Sequence, residues 1–160
     1  MMEKRGFAEL HCLSNYSFLR GASHPEELVY KASNLGYSAI AITDECSYSG
    51  LVKAHVAAKQ CDIKLIVGAE FFVDIAYGEK KNSVENIIML APTRQAYGQL
   101  SAFISKIRRK NQKGNSYLRY EDCQIGLSDC LVLWSPELQD IDIQVSVGHK
   151  LKTIFQHFWI

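Results

Sequence analysis

The sequence has 160 residues, 48% of them hydrophobic and 22% charged, with a formal net charge of +1; this is the make-up of an ordinary folded domain with one core, too apolar for intrinsic disorder. So small a net charge excludes wholesale attraction to nucleic acid or a membrane surface, and any such binding has to come from a local patch. There is no 18-residue apolar run, and no signal-peptide core follows the polar start at Met1–Arg5, so a cytoplasmic chain with no membrane partner is predicted.

Phe7–Ser14, FAELHCLS, reads as a short first strand followed by a loop that is bounded by Asn15 and Gly21. A helix then starts with Ser23 as N-cap, Pro25 in the first turn and Glu26 closing a capping box. Leu28, Val29, Ala32 and Leu35 follow at helical spacing until Gly36 stops it. The chain is organised around Tyr37–Gly50, YSAIAITDECSYSG. Ile40–Thr43 read there as a strand covered on both faces, ending abruptly at Asp44-Glu45. From Gly50 a second helix sets Leu51, Ala54, His55 and Ala58 on one face, and Lys64–Val73, KLIVGAEFFV, is the third strand. Strand, helix, strand, helix, strand indicates βαβ units and an α/β fold with a mostly parallel sheet and flanking helices.

The second half keeps less of that rhythm. Tyr77–Ser83 reads as a polar turn, Asn86–Ala91 as a strand, and Pro92-Thr93 as the opening of a helix with Tyr97, Leu100, Ile104 and Ile107 on one face. That helix ends in the basic run Lys106–Lys113, which with Tyr117 and Tyr120 suits a nucleic-acid contact or, more simply, a solvated helix end. Leu131–Trp134 and the alternating Ile141–Val147 read as strands, and the tail His149–Ile160 is unusually aromatic. Such an end suggests a polypeptide that continues, with self-association of the piece as a hazard.

Functional groups in α/β folds collect at the carboxyl ends of strands. His11, Asp44, Glu45 and Glu70 fall at or near the ends of the three first strands. By residue type they form a metal-site constellation for Zn²⁺, Mn²⁺ or Fe, able to activate water for phosphate-ester hydrolysis. The alternative is that these acids cap the helices that follow. His24 fits a helix cap, His55 a packed or half-exposed position, and His149 and His157 no ligand spacing. Cys12, Cys46, Cys61, Cys123 and Cys130 form an odd set without a C-x-x-C pair, so free thiols are expected in place of a disulfide framework or a zinc knuckle. Neighbours on a strand face opposite ways, so His11-Cys12 is not read as a base and nucleophile. No P-loop or dinucleotide fingerprint occurs.

The segments FAELHCLSNYSFLRGASHPEELV, LGYSAIAITDECSYSGLVKAHVAAK and LIVGAEFFV, in that order, resemble the PHP (polymerase and histidinol phosphatase) domain at the amino terminus of bacterial C-family DNA polymerases. The likeness is strongest to the error-prone, alpha-subunit-like branch used in damage-induced synthesis and repair. It is dense over about residues 7–73 and looser to about Pro136. The resemblance implies a distorted (β/α)₇ barrel, of which residues 1–160 would form a single domain supplying only the first part. It also implies a partner, the remainder of a C-family polymerase, which carries the nucleotidyl-transfer carboxylates. This chain would then be a scaffold with no polymerase activity of its own, meeting DNA only indirectly.

The same resemblance undermines the metal site. The family's first motif, H-x-H and then an Asp before Gly, is here His11, Leu13, and Arg20 before Gly21; the second, Thr-Asp-His, is Thr43-Asp44-Glu45; the third keeps Glu70. Asn86 and Pro136 stand where a His and a Cys or His would lie, and the family's final Asp-x-His has no counterpart in the 160 residues. His11 and Glu70 thus remain as vestigial metal candidates. Arg20 places a permanent cation where divalent ions would sit; it is expected to pair with Glu45 or Glu70, with Asp44 and Glu45 either supporting the ligand residues from behind or serving as its charge partners. No cofactor is then expected, although Zn or Mn would be the ion if the site worked. A metal-dependent phosphoesterase or 3′–5′ exonuclease, and a nucleic-acid-binding module using Lys106–Lys113, are the alternatives.

Overall fold

The computed structural model describes residues 6–77, 81–124, 126–136 and 141–160. The chain divides into two compact units, residues 1–69 and 70–160, and each is described by itself.

The first unit begins with β1 (Ala8–Glu9), α1 (Pro25–Asn34), β2 (Ala39–Ile42) and α2 (Leu51–Cys61), and takes the opening residues of β3 (Lys64–Tyr77). β1 pairs parallel with β2, Ala8 opposite Ala39, and β2 parallel with β3, from Ala39 opposite Lys64 to Ile42 opposite Val67. Every residue of β2 is buried, as a strand covered on both faces requires. Val29 and Ala32 of α1 and Ala54, Ala57 and Ala58 of α2 pack with Ile40, Ile42 and Ile63 into one core. At about 25 cal/mol per Å² of apolar surface, this burial is the main force holding the βαβ unit together.

Three local expectations need correction here. The first strand stops at Glu9, because Glu9 Oε1 accepts the His11 N–H at 3.0 Å and turns the chain out of the ladder. The cap of α1 lies one residue later than expected: His24 is the N-cap, Pro25 the first helical residue, and Glu27, not Glu26, accepts the cap's own N–H at 2.8 Å. His55 is exposed, because the buried face of α2 runs through Ala54, Ala57 and Ala58.

The second unit takes the rest of β3, then β4 (Lys81–Ala91), α3 (Arg94–Lys110), β5 (Leu118–Arg119), a 3₁₀ turn (Tyr120–Gln124), β6 (Leu131–Ser135), α4 (Ile141–Ile154) and β7 (Phe158–Trp159). Its strands run in the order β3-β4-β6-β7, with β5 beside β3. β3–β5 and β6–β7 are parallel pairs and β4–β6 is antiparallel. Phe71 of β3 meets Phe103 of α3 edge to face at 5.4 Å, and Phe71, Ile75, Ile87, Met89, Leu100 and Ile107 are fully buried. The α/β class expected from the sequence therefore holds, with parallel pairing in four of the five described registers.

The second half departs further from the sequence reading. β3 runs on to Tyr77 and β4 begins at Lys81; the core of the expected 77–83 turn lies outside the described residues. Thr93 caps α3, its Oγ1 accepting the Ala96 N–H at 3.1 Å. The buried face of α3 is Ala96, Leu100, Phe103 and Ile107, whereas Tyr97 is exposed and Ile104 only partly covered. Residues 141–154 form a helix, not a strand. The alternation of Ile141, Ile143, Val145 and Val147 masks a four-residue spacing in Val147, Leu151 and Phe155, which are the buried positions. The aromatic tail is partly accounted for: Phe155 is buried, Phe158 and Trp159 pair with β6, and Trp134 stacks on Phe158 at 6.2 Å. Among the described residues no helix is long and apolar enough to cross a membrane.

Candidate functional site

In the first unit, the loop between β1 and α1 folds back on the end of β2. Asp44 directly follows that strand's buried run and Thr43, and it is itself 1% exposed. Its Oδ1 accepts the Ser14 N–H at 2.8 Å and the Ser17 hydroxyl at 2.7 Å, while Oδ2 accepts the Ser14 hydroxyl at 2.7 Å. Hydrogen bonds from neutral donors stabilise an ionised carboxylate without needing a cation. Asp44 is therefore the anchor of residues 14–21, through contacts to two hydroxyls and a backbone amide.

The anchored loop is tight. Ser17 N–H donates to Ser14 O at 2.9 Å, and the N–H groups of Arg20 and Gly21 both donate to Ser17 O, at 3.0 and 2.9 Å. At Gly21 an added Cβ would sit 1.9 Å from Ser14 O, so only glycine passes this point. Leu19 adopts the left-handed region at φ 62°, a conformation that costs a non-glycine residue of order 1–3 kcal/mol and persists only where its surroundings hold it. Arg20 is thereby carried to Glu45, with Nη1 at 3.3 Å from Oε2. Glu45 is held in turn by its N–H donating to Ser17 Oγ at 3.0 Å. One serine thus links the carboxylate that anchors the loop to the residue that receives its cation.

His11 lies past the end of β1 and is partly buried, and Leu13 follows it. Next to it, Cys12 has its thiol pushed up to about 11 by burial first, and then by the negative charges of Glu9 and Asp44. Such a thiol is protonated at neutral pH and is a poor nucleophile or metal ligand.

In the second unit, Glu70 is 0% exposed and accepts the Asn86 side-chain amide at 3.0 Å. Asn86 Oδ1 is buried without a hydrogen-bond partner. The amide nitrogen at this position satisfies the Glu70 carboxylate by donating to it, and Asn86 offers no imidazole nitrogen of the kind Zn²⁺ prefers. The Cys123 thiol is pushed up to about 12 and that of Cys130 to about 11, both chiefly by burial. All five cysteines are free.

Tested against a metal, this donor set does not fit. Leu13 has no donor atom, Arg20 contributes a permanent positive charge against Glu45, and Asp44 has its oxygens occupied by three short hydrogen bonds. Among the described residues, no group of three His, Cys, Asp or Glu side chains is placed to hold an ion. The sequence singled out Asp44, Glu45, Arg20, Glu70 and Asn86 but missed Ser14 and Ser17. Their signal was the Ser-x-x-Ser spacing on a loop preceding a helix, where hydroxyls cap local backbone and side-chain groups.

Residues 9–143 match the family model described as the PHP domain. An error-prone DNA polymerase of Idiomarina loihiensis is 47% identical over 155 residues, covering 96% of this chain and 14% of that protein. The protein of the same name from Saccharophagus degradans is 46% identical over 154 residues, again 96% of this chain and 14% of the relative. The chain thus spans about one-seventh of the length of the curated relatives it matches. An amidohydrolase structure from Chromobacterium violaceum aligns with 64% of this chain and 33% of its own at 28% identity, with a TM-score of 0.48.

Proposed function

Because the chain belongs to the PHP domain family, we propose that it is the metal-free, scaffolding PHP domain of an error-prone DNA polymerase, and that its role is to hold the fold of the polymerase polypeptide to which it is joined. The two units then form parts of one such domain. The observation that carries this reading is the Arg20–Glu45 pair on a loop anchored by Asp44. A cation supplied by the chain itself compensates a carboxylate where other members of the family would use metal ions.

The energetics favour a structural role. The ion pair is about a third exposed on each side, so by itself it is worth about 0–1 kcal/mol. The larger contribution is the buried Asp44 network, in which each hydrogen bond to a charged group is worth about 1.5–3 kcal/mol. In this reading the site fixes backbone. A cytoplasmic location follows from the same reading.

Two assays test it. Hydrolysis of p-nitrophenyl phosphate and of a 3′-labelled oligonucleotide, with Mn²⁺ or Zn²⁺ and with EDTA, should show no metal-dependent activity above background. Mixing the purified chain with the Idiomarina loihiensis relative lacking its matching segment should give a stable complex by size exclusion. Metal-dependent turnover abolished by Glu70→Gln would return the site to catalysis, and failure of the two polypeptides to associate would remove the scaffold role.

A further inference from the structure

Six of the chain's 18 basic residues, Lys106, Arg108, Arg109, Lys110, Lys113 and Arg119, lie within 106–119, and no acidic residue lies among them. The rest of the chain is therefore acidic on balance, and the slight positive total hides a strongly polarised charge distribution. A basic helix end alone is ordinary, since cations favour the negative end of the helix dipole. The second unit goes beyond that, because it brings residues of this run from α3, the following loop and β5 around one opening. Lys110, Asn111, Tyr117, Leu118 and Arg119 line a cleft of about 360 Å³ together with Asp74.

The cleft has a built wall. Asn111 donates its side-chain amide to Ile107 O and to Tyr117 O, both at 3.1 Å, which locks the loop onto the end of α3. Arg119 is fixed by parallel pairing of β5 with β3, Leu118 opposite Val73 and Arg119 opposite Asp74. The Tyr117 ring is left 56% exposed, with its inner side 6.3 Å from Phe72. An outward aromatic face thus stands in one cleft with Lys110 and Arg119. Arg119 also lines an adjoining cleft with Tyr120 and Lys150, in which Asp74, Ala76 and Glu121 take part. Lys110 is engaged with Asp122 at 2.6 Å, which leaves Arg119 as the cation of this cleft that faces a ligand, while Lys113 is an exposed cation of the loop leading from α3 to it.

We propose that this surface binds single-stranded nucleic acid, with Lys113 and Arg119 on backbone phosphates and a base stacked on Tyr117. The chemistry selects the ligand. Phosphodiester charge answers the basic run, an unpaired base answers the exposed ring, and the pairing of cations with a stacking face is the usual platform for unstructured strands. None of the residues of the Asp44 loop takes part.

The test is fluorescence anisotropy of a labelled oligothymidylate of about 20 nucleotides with the purified 160-residue chain, at about 50 and 200 mM NaCl. Micromolar binding that weakens with salt is expected. The Lys113→Gln/Arg119→Gln pair should weaken it at least fivefold and reduce the log–log salt slope by about 1.4, from about 0.7 per phosphate contact on a single strand. Tyr117→Ala should weaken it by roughly fivefold or more, whereas Lys31→Gln/Lys59→Gln, in the first unit, should leave it unchanged. Circular dichroism melts confirm that each variant is folded. Absence of salt-dependent binding by the parent chain, or equal losses in the two double variants, overturns the proposal. Equal affinity for a duplex of the same length, with no effect of Tyr117→Ala, overturns the stacking contact.

Discussion

Ser17 Oγ donates to Asp44 Oδ1 at 2.7 Å and accepts the backbone N–H of Glu45 at 3.0 Å, so a single hydroxyl ties the loop carrying Arg20 to the Asp44 carboxylate and to the main chain of Glu45 at the end of β2. Serine suits this position because a hydroxyl is both donor and acceptor within one small group.

Ser17→Ala leaves a buried carboxylate oxygen and a backbone N–H each short of a partner. Urea unfolding should show a loss of about 2–4 kcal/mol, since a lost bond to a charged group and an orphaned buried polar group add. Arg20→Gln, at the partly exposed ion pair, should cost no more than about 1 kcal/mol. Equal losses at the two positions would place the anchor on the ion pair instead.

The same glycine-to-alanine change should act with opposite signs in α3 and α4. At Gly98 an added Cβ meets nothing within 4 Å, so Gly98→Ala should stabilise by about 0.5–1 kcal/mol through helix propensity. At Gly148 the added Cβ would sit 2.9 Å from the Trp134 ring. That ring is held by its Nε1–H donating to Glu85 Oε2 at 2.9 Å and by its stack on Phe158. Overpacking of this kind costs about 1–3 kcal/mol, and Gly148→Ala should lower the melting temperature and shift the tryptophan fluorescence.

Burial alone would raise the Asp122 carboxyl, but the hydrogen bonds from Lys110 Nζ and the Arg119 N–H, together with the charges of Lys110 and Lys106, hold it below its ordinary value of 3.8. A carboxyl depressed on folding contributes stability above its unfolded pKa, and that stability is lost as pH falls through the folded value. The stability gap between the parent and Asp122→Asn should be widest at neutral pH and close below about pH 3. Lys110 is nearly half exposed, so solvent screening keeps the gap to about 1 kcal/mol or less. A gap that persists unchanged to low pH would assign the effect to packing.

Cys46, Cys123 and Cys130 are buried and Cys12 and Cys61 only partly covered, and the thiols of Cys12, Cys123 and Cys130 are raised by burial. Under native conditions near neutral pH, a thiol-titrating disulfide reagent should label Cys61 first, the partly covered Cys12 more slowly because its thiol is raised, and the three buried thiols on the timescale of unfolding. Removal of the fast phase by Cys61→Ser checks this; a fast phase retained in that variant would indicate an accessible, ionised thiol elsewhere.

What was legible in the sequence follows from how local each signal is. The β2 strand, its end at Asp44-Glu45 and the two helices around it rest on short apolar runs and helix stops, and these appear within a residue or two of their expected places. The pairing of Arg20 rested on the family resemblance and on the cost of an unpaired buried charge, and it left Glu45 and Glu70 both open as the partner. Ser14 and Ser17 offered only a Ser-x-x-Ser spacing before a helix; which group they serve was not readable, since the carboxylate that closes on them lies 30 and 27 residues away. α4 was misread because Ile141, Ile143, Val145 and Val147 fit a period of two as well as Val147, Leu151 and Phe155 fit a period of four, and propensity favoured the strand. The cleft around Tyr117 depended on β5 pairing with β3, which no local pattern announces.

Thermal unfolding of the purified chain in EDTA, and again with added Mn²⁺ or Zn²⁺, tests the metal-free scaffold most directly, because only a native-state site raises the melting temperature by linkage. A scaffold compensated by Arg20 unfolds cooperatively at the same temperature, within about 1 °C, in all three conditions. A midpoint raised several degrees by metal, and returned to the EDTA value by Glu70→Gln, would contradict it and restore a working metal centre.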